Sequence, residues 1–288
     1  MQNLILVLSA LVILFLSGCN SSQIDIPTLV PKIPTATAEL LLKTYPTEDF
    51  QLSATETMLP EITEVVSVPV CSPLVNYPIK ALSGMVSNPF NPPKEGSDDP
   101  HQGVDLSVID DTYRIAIKGE AVQSMIAGNV VMIMEDRFPY GNAILVETSF
   151  EHLPVEWQQA LTEVPKPEGF GIPPALNCPG SWDVPATETE NYSLYVLYAH
   201  LDEPAEFQNG DEIICGQELG KIGESGNALA PHLHIEIRYG YADGMSGSMA
   251  HYDVSASNEE MANYCRWRVS GFYRLMNPQE LLNITPED

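Results

Sequence analysis

The larger, C-terminal part of the chain contains short apolar runs that are separated by glycine and other turn residues. Val, Ile, Leu and Tyr dominate "NAILVETSF" at 142–150 and "YSLYVLYAHL" at 192–201, and "PHLHIEIRY" at 231–239 alternates between apolar and polar positions. Runs of this kind are typical of β-strands joined by tight turns. We therefore expect an all-β domain in which most strands pair antiparallel.

Helical patterns are scarce in the same region. The one strong helix candidate is "LPVEWQQALTEV" at 153–164, and "NPQELL" at 277–282 is a short one near the C-terminus. The pattern therefore predicts that helix is a minor component of the domain.

The N-terminal residues have a different pattern. An apolar run from Leu4 to Leu16 is long for a core strand and shorter than the roughly 20 residues of a membrane-spanning helix. "LSGC" follows and ends at Cys19, which resembles the signal peptide of a bacterial lipoprotein, although "MQN" lacks the usual basic residue. The resemblance implies cleavage after residue 18 and lipid on Cys19. An uncleaved anchor and a plain secretory signal are the alternatives.

The segment from 19 to 70 is rich in Thr, Pro and Glu and has few aromatic residues. Its prolines recur too often for a long helix or a central strand. We expect a disordered tether here. The sequence thus predicts a signal peptide at 1–18, a tether at 19–70 and one folded domain at 71–288.

The chain carries a formal net charge of −26 and has a pI near 4.3. Nucleic-acid binding needs clustered Lys and Arg against the phosphates, so the charge argues against a nucleic-acid partner. It also argues against electrostatic docking on anionic lipid.

Four cysteines follow the predicted signal peptide: Cys71, Cys178, Cys215 and Cys265. In an oxidising compartment they can form two disulfides, for which three pairings exist, and four buried free thiols are the alternative. They lack the close pairwise spacing of a zinc ribbon, which argues against a cysteine-based metal site.

Histidines occur in three contexts beside predicted strands. His101 and Asp105 are four residues apart where a turn enters a strand, and His200 ends an apolar strand. His232 and His234 are two residues apart, so they share one face of a strand. Taken alone, the first two contexts fit a surface or capping residue better than a ligand. The other two histidines have no such context, and we expect ordinary surface residues there: His152 and His251.

The order of these motifs is more specific than any one of them. His-x-x-x-Asp, then Tyr-x-His-Leu, then Pro-His-Leu-His resembles the lysostaphin-like, LytM-type zinc metallopeptidases of bacterial cell walls. "GEAVQSMIAGNVV" at 119–131 and "NPQELL" at 277–282 also resemble stretches of that family. The resemblance extends with gaps from Met85 to Leu282. It implies a curled antiparallel sheet with a groove over its face, the duplicated-hybrid-motif architecture.

The resemblance also implies a role for each residue. His101, Asp105 and His234 match the ligands of one Zn²⁺ per chain, and His200 and His232 match the two catalytic histidines. Two neutral imidazoles and one carboxylate leave zinc with an open coordination position, as in catalytic zinc sites. Which of the two catalytic histidines is the general base is not decided by the sequence.

The chain departs from the family pattern at two insertions, at about 149–191 and 239–276, and in a longer lead-in, "NPFNPPKEGSDDP", before His101. The insertions are expected to rim the groove. Each insertion contains one cysteine, so we expect Cys178 to pair with Cys265. Cys71 then pairs with Cys215, or both remain free.

The predicted function is a zinc-dependent endopeptidase that hydrolyses peptide bonds of peptidoglycan, extracytoplasmic and anchored to the membrane through lipid on Cys19. We expect peptidoglycan peptides as substrate and a monomeric state, and a regulatory protein is a further candidate partner. One alternative function is a non-catalytic LytM-type binding or regulatory lipoprotein. The other is an endopeptidase that acts on a protein outside the wall.

Overall fold

The computed structural model describes residues 68–169, 176–179 and 191–285. The predicted signal peptide, the predicted lipid attachment site Cys19 and nearly all of the predicted tether lie outside these residues. In the described part of the chain, no helix is long and apolar enough to cross a membrane.

Ten strands form the domain, and all ladders between them are antiparallel in the described residues. The strands are β1 (Val86–Asn88), β2 (Val104–Leu106), β3 (Ala121–Gln123), β4 (Gly128–Arg137), β5 (Gly141–Ser149), β6 (Tyr192–Leu201), β7 (Glu212–Ile213), β8 (Glu218–Lys221), β9 (Leu233–Tyr241) and β10 (Tyr273–Met276). Eight of them belong to one sheet, in which β1, β2, β9, β6, β5, β4 and β7 are successive neighbours and β10 pairs with β9. Strands β3 and β8 form a small second sheet. The fold prediction is thereby confirmed.

The register of strand β9 brings distant segments of the chain together. His234 lies opposite Asp105 on β2 on one side and opposite Ala199 on β6 on the other. Residue His200 therefore follows directly after the position that faces His234. The three histidine motifs of the sequence meet at one place in the sheet for this reason.

Both faces of the large sheet are covered. On β6, Val196 and Tyr198 pack into one apolar core, whereas Tyr195 and Leu197 pack into a second core on the other face. Side chains alternate across a strand, so a strand covered on both faces has apolar residues at every position. This explains why "YSLYVLY" reads as a continuous apolar run.

Three α-helices are present in the described residues: α1 (Val155–Thr162), α2 (Asn258–Val269) and α3 (Pro278–Asn283). The first and third confirm the two predicted helices. Helix α2 was not predicted, and the expectation of a single strong helix was wrong. Its readable signal is a capping box, in which the Ser257 hydroxyl accepts from the Glu260 amide and the Glu260 carboxylate accepts from the Ser257 amide.

Two disulfides join distant parts of the chain. Cys178 is bonded to Cys265 and Cys71 to Cys215, which confirms the expected pairings. Cys265 lies on α2, so the first bond ties that helix to residue 178 of the preceding insertion. Strand β9 continues to Tyr241 and β10 begins at Tyr273, so the part of the second insertion outside the sheet is 242–272.

His251 was expected to be an ordinary surface residue, and this was wrong. Its side chain is buried and stacks on Tyr264 of α2, with ring centroids 5.0 Å apart. Its Nε2 atom lies 3.2 Å from the Asn177 carbonyl oxygen. Residues of both insertions thus enclose this histidine, and no local sequence feature indicates that packing. His152 is exposed, as expected.

Candidate metal centre

Three side chains converge at the junction of β2 and β9. The Nε2 atom of His101 lies 3.1 Å from Oδ1 of Asp105 and 3.2 Å from Nδ1 of His234. The last side of the triangle, from His234 Nδ1 to Asp105 Oδ1, measures 2.8 Å. Nitrogen and oxygen ligands of zinc stand at about 2.0–2.2 Å from the ion, so donor atoms this close to one another can share one ion.

The hydrogen bonds of His101 fix which of its nitrogens faces this triangle. Its Nδ1–H donates to the Pro89 carbonyl oxygen over 2.9 Å, so in the neutral ring Nε2 carries a lone pair. That lone pair, the Asp105 carboxylate and Nδ1 of His234 then point at one another. Electron pairs facing at these distances need a cation between them or a proton on one nitrogen. The donor set fits zinc, with two imidazoles and one carboxylate.

The backbone makes room for the ring of His234 at Gly103. A Cβ atom at this position would lie 2.5 Å from Cε1 of His234 and 2.5 Å from the carbonyl oxygen of Ile235. Real Cβ atoms do not approach other atoms so closely, so only glycine fits without movement of the ring or of strand β9. Gly103 is thus part of the cradle for one candidate ligand, a role that sequence reasoning missed.

The two predicted catalytic histidines flank the triangle. The ring centroids of His200 and His232 are 4.7 Å apart, and Nε2 of His232 lies 3.6 Å from Oδ1 of Asp105. His200 donates from Nδ1 to the Ser225 carbonyl oxygen, and His232 donates from Nδ1 to the Ala230 carbonyl oxygen, both over 2.8 Å. In the neutral rings Nε2 is therefore the nitrogen that can accept a proton.

His200 adopts a left-handed backbone conformation with φ of 62°. Non-glycine residues rarely adopt it, and such strain persists where the surroundings require a particular side-chain direction. Here the conformation directs the ring at the end of β6 beside His232. The sequence placed His200 at a strand end, but it did not show this turn of the backbone.

Electrostatics differ between the two kinds of histidine. Burial, together with the neighbouring His234 and His232, lowers the pKa of His200 to about 3. His200 is therefore neutral throughout the neutral range. Burial lowers the pKa of His234, but the Asp105 and Glu236 carboxylates beside the ring outweigh burial, so the pKa is raised. Carboxylates on both sides of the ring favour positive charge at this place, which also suits a metal cation.

The pKa of Asp105 is lowered although burial alone raises it, because the hydrogen bonds from His101 and His234 prevail. The carboxylate thus stays ionised, which is the form that binds metal.

A buried charged network behind His234 was not predicted. Glu236 is fully buried, and its Oε2 atom lies 3.7 Å from Nε2 of His234, which has no hydrogen-bond partner within the described residues. Arg238 donates from Nε to Oε1 of Glu236 over 2.7 Å, and Arg268 of α2 donates from Nη1 to Oε2 over 3.2 Å. A readable signal existed on β9, because positions 234, 236 and 238 share one face and all are polar.

Comparison with known proteins places part of this chain in a family. Residues 187–246 match Peptidase family M23, and the matched segment contains His200, His232 and His234 but not His101 and Asp105. No curated protein matches the chain.

Three solved structures are similar over part of their length. A putative peptidase M23 from Pseudomonas aeruginosa is 20% identical over 53% of this chain and 44% of that chain, with a TM-score of 0.28. The catalytic domain of a mutant of the prophage-encoded M23 protein EnpA from Enterococcus faecalis is 16% identical over 56% of this chain and 85% of that chain, with a TM-score of 0.33. The catalytic domain of the antimicrobial peptidase lysostaphin from Staphylococcus simulans is 17% identical over 71% of this chain and 97% of that chain, with a TM-score of 0.35.

The chain spans less than half the length of the Pseudomonas aeruginosa structure, and all three identities are low. The family match and the antiparallel sheet confirm the resemblance drawn from the motifs. Residues 187–246 of this chain thus match Peptidase family M23, in agreement with the resemblance to lysostaphin-like, LytM-type peptidases.

Proposed function

We propose that this protein is a zinc-dependent endopeptidase that hydrolyses peptide bonds of peptidoglycan. The observation that carries the proposal is the convergence of five side chains from distant segments: three whose donor atoms lie within 3.2 Å of one another, and two histidines beside them. The match of residues 187–246 to Peptidase family M23 supports a peptidase reaction.

His101, Asp105 and His234 would hold the ion, through Nε2, Oδ1 and Nδ1 respectively. Zinc, when bound, supplies a Lewis acid that polarises a peptide carbonyl and makes water more acidic. His101 is oriented for this task by its bond to the Pro89 carbonyl oxygen. The Glu236 carboxylate lies 3.7 Å from Nε2 of His234, the ring nitrogen that would not bind the ion. A carboxylate at this place is common behind histidines that bind a metal.

His200 and His232 would handle the protons of the reaction. Hydrolysis of a peptide needs a base to take a proton from water and an acid to give one to the leaving amine. His200 is neutral in the working range, so its Nε2 atom accepts a hydrogen bond from water or takes its proton. The Nε2 atom of His232 lies 3.6 Å from Oδ1 of Asp105, and its ring centroid is 4.7 Å from that of His200. The pair thus offers two proton-accepting atoms next to the candidate zinc site.

We further propose that the domain acts outside the cytoplasm, tethered to the membrane through lipid on Cys19, and that its substrate lies in the wall within reach of the tether. The lipoprotein-like N-terminus and the cysteines paired as disulfides support this location, because disulfides persist in oxidising compartments.

The test is digestion of intact peptidoglycan sacculi with the zinc-loaded chain, followed by mass spectrometry of the released fragments. His200→Ala is the inactive control, because it removes a proton-handling group and leaves the three candidate ligands in place. New peptide termini with the wild type alone support the proposal, and their masses identify the bond. A chain that holds one zinc and cuts none of several wall types overturns the wall substrate. It then favours a binding protein or a peptidase with another protein substrate.

A further inference from the structure

Arg268 of helix α2 lies at the centre of the charged network behind the candidate metal site. Its side chain is 10% exposed. Nε donates to Oδ1 of Asp98 over 2.7 Å, and Nη2 donates to the Asp98 carbonyl oxygen over 2.9 Å. Nη1 donates to the hydroxyl of Tyr140 over 3.1 Å and to Oε2 of Glu236 over 3.2 Å. One guanidinium thus contacts three separate segments of the chain.

Two of these segments lead directly to candidate metal ligands. Asp98 lies three residues before His101 in the lead-in loop, and Glu236 lies two residues after His234 on β9. Arg268 bridges them from a helix that belongs to the second insertion. The guanidinium fork suits this task, because it presents several donors in a rigid plane, whereas a lysine ammonium is a point charge.

The two carboxylates that Arg268 contacts also accept hydrogen bonds from tyrosine hydroxyls. On one side, the Tyr252 and Tyr264 hydroxyls donate to Oδ2 of Asp98 over 2.9 and 2.8 Å. On the other side, the Tyr140 hydroxyl donates to Oε2 of Glu236 over 2.8 Å. Removal of Arg268 takes the ion pair from Asp98, whereas Glu236 keeps its ion pair with Arg238. Each carboxylate can then shift from its present position, because a donor that holds it is lost.

Movement of either carboxylate would disturb the position of a candidate metal ligand. The Oε2 atom of Glu236 lies 3.7 Å from Nε2 of His234, whose other nitrogen is the candidate ligand atom. Carboxylates behind metal-binding histidines set ring orientation and tautomer, and their loss typically weakens metal binding about 10- to 100-fold. A shift of Asp98 would displace the loop that carries His101.

We propose that Arg268 is a positioning residue for the triad of His101, Asp105 and His234, so that the second insertion is a structural part of the metal site. This inference rests on the zinc site proposed above. It assigns the insertion a role behind the site, in addition to its expected place at the rim of the groove. The bond between Cys178 and Cys265, three residues before Arg268, holds the helix that presents the guanidinium.

The test measures zinc affinity of the full chain by competition with a chelating dye, for the wild type and for Arg268→Met. The matched control is Arg137→Met. Arg137 donates from Nε and Nη2 to the two carboxylate oxygens of Glu260 over 2.7 Å each, so it also ties α2 to the sheet. In the described part of the chain, the hydrogen bonds and the ion pair of the Arg137 guanidinium go to Glu260, and none goes to Asp98 or Glu236. The control therefore reports the loss of an ion pair on α2 that does not reach the triad.

We expect about a tenfold or greater loss of zinc affinity in Arg268→Met, and a change within about twofold in Arg137→Met. The absorption spectrum of bound Co²⁺ should change in the first variant and not in the second, because it reports ligand geometry. Asp98→Asn is the second test variant: it keeps the size of the side chain and removes its charge, and it should weaken zinc binding in the same direction.

Wild-type zinc affinity and an unchanged Co²⁺ spectrum in both Arg268→Met and Asp98→Asn overturn the inference. Equal losses in Arg268→Met and Arg137→Met also overturn it, since they indicate a general destabilisation of α2. If the proposed zinc site itself is wrong, the result differs from both of these outcomes. The wild type then binds no zinc, or His101→Ala binds zinc as tightly as the wild type.

Discussion

The Nε2 atom of His101 lies 3.2 Å from the Nδ1 atom of His234, although 133 positions separate these residues in the chain. The antiparallel pairing of β2 with β9 brings the two segments together, and Asp105 on β2 completes the triangle. Because Nδ1 of His101 donates to a backbone carbonyl, the approach of the two facing nitrogens is best stabilised by a cation.

Metal removal should destabilise the protein and abolish hydrolysis. A ligand that binds only the folded state adds about 2.7 kcal/mol of stability at a free concentration 100 times its dissociation constant. Thermal unfolding of the chelated chain should therefore occur at a lower temperature, and added zinc should restore the wild-type value. In His101→Ala, zinc should leave the unfolding temperature unchanged. An equal response of that variant to zinc would place the ion elsewhere.

Replacement of the two flanking histidines should separate catalysis from metal binding. His200→Ala and His232→Ala should each lower the hydrolysis rate by about 10²- to 10⁴-fold, the usual contribution of a proton-transferring group. Zinc content, measured by atomic absorption, should stay at one ion per chain. His152→Ala is the control, because His152 is exposed and remote in sequence from the three motifs. Loss of zinc from both flanking variants would make these histidines ligands instead.

Glycine is required at position 103 because the ring of His234 occupies the space of a side chain. Gly103→Ala should weaken zinc binding and lower the unfolding temperature, since its Cβ would lie 2.5 Å from His234 Cε1 and from the Ile235 carbonyl oxygen. Gly84→Ala is the matched control, because a Cβ there meets nothing within 4 Å. Zinc titration and thermal unfolding of both variants check this. Equal behaviour of the two alanine variants would argue against the cradle.

The ion pair between Arg137 and Glu260 should stabilise the protein only above a certain pH. Burial raises the pKa of Glu260, but hydrogen bonds from Arg137 and Ser257 outweigh it, so the pKa lies below the ordinary value of 4.5. A carboxyl group with a lowered folded-state pKa stabilises the protein above its unfolded pKa, and that stability is lost as the pH falls through the folded value.

The difference in unfolding temperature between the wild type and Glu260→Gln should therefore be largest near neutral pH and should shrink below about pH 4.5. Thermal unfolding across a pH series measures this difference. Glu259→Gln serves as the control, since it removes a charge from the same helix turn at an exposed position. A difference that grows in acid would contradict the assignment.

Much of the site could be read from the sequence. Two local features of the sequence carry this information: the spacing of His101 and Asp105, and the pair His232 and His234. The alternation of a strand places the two histidines of that pair on one face without knowledge of the fold. The strong apolar runs also predicted the strands, and two of the three helices were readable. Helix α2 was missed although the capping box at Ser257 and Glu260 marks its start, because its apolar pattern is weak.

The remaining parts depended on contacts between segments far apart in the chain. Glu236 and Arg268 are far apart in the sequence, and only the folded chain brings the Arg268 guanidinium on α2 within 3.2 Å of the buried Glu236 carboxylate on β9. No feature of the sequence marks His251 as buried either. Charges and polar rings carry no sign of their partner along the chain, because burial is decided by which elements pack against each other.

The sequence alone determined the strand-rich composition and the order and spacing of the histidine motifs, since these follow from residue type and local period. Tertiary structure alone decided the register that sets His234 opposite Asp105, the left-handed backbone at His200, the space left by Gly103 and the bridge made by Arg268. The physical reason is that hydrogen-bond geometry and steric fit act between atoms, and the chain brings those atoms together only when it folds.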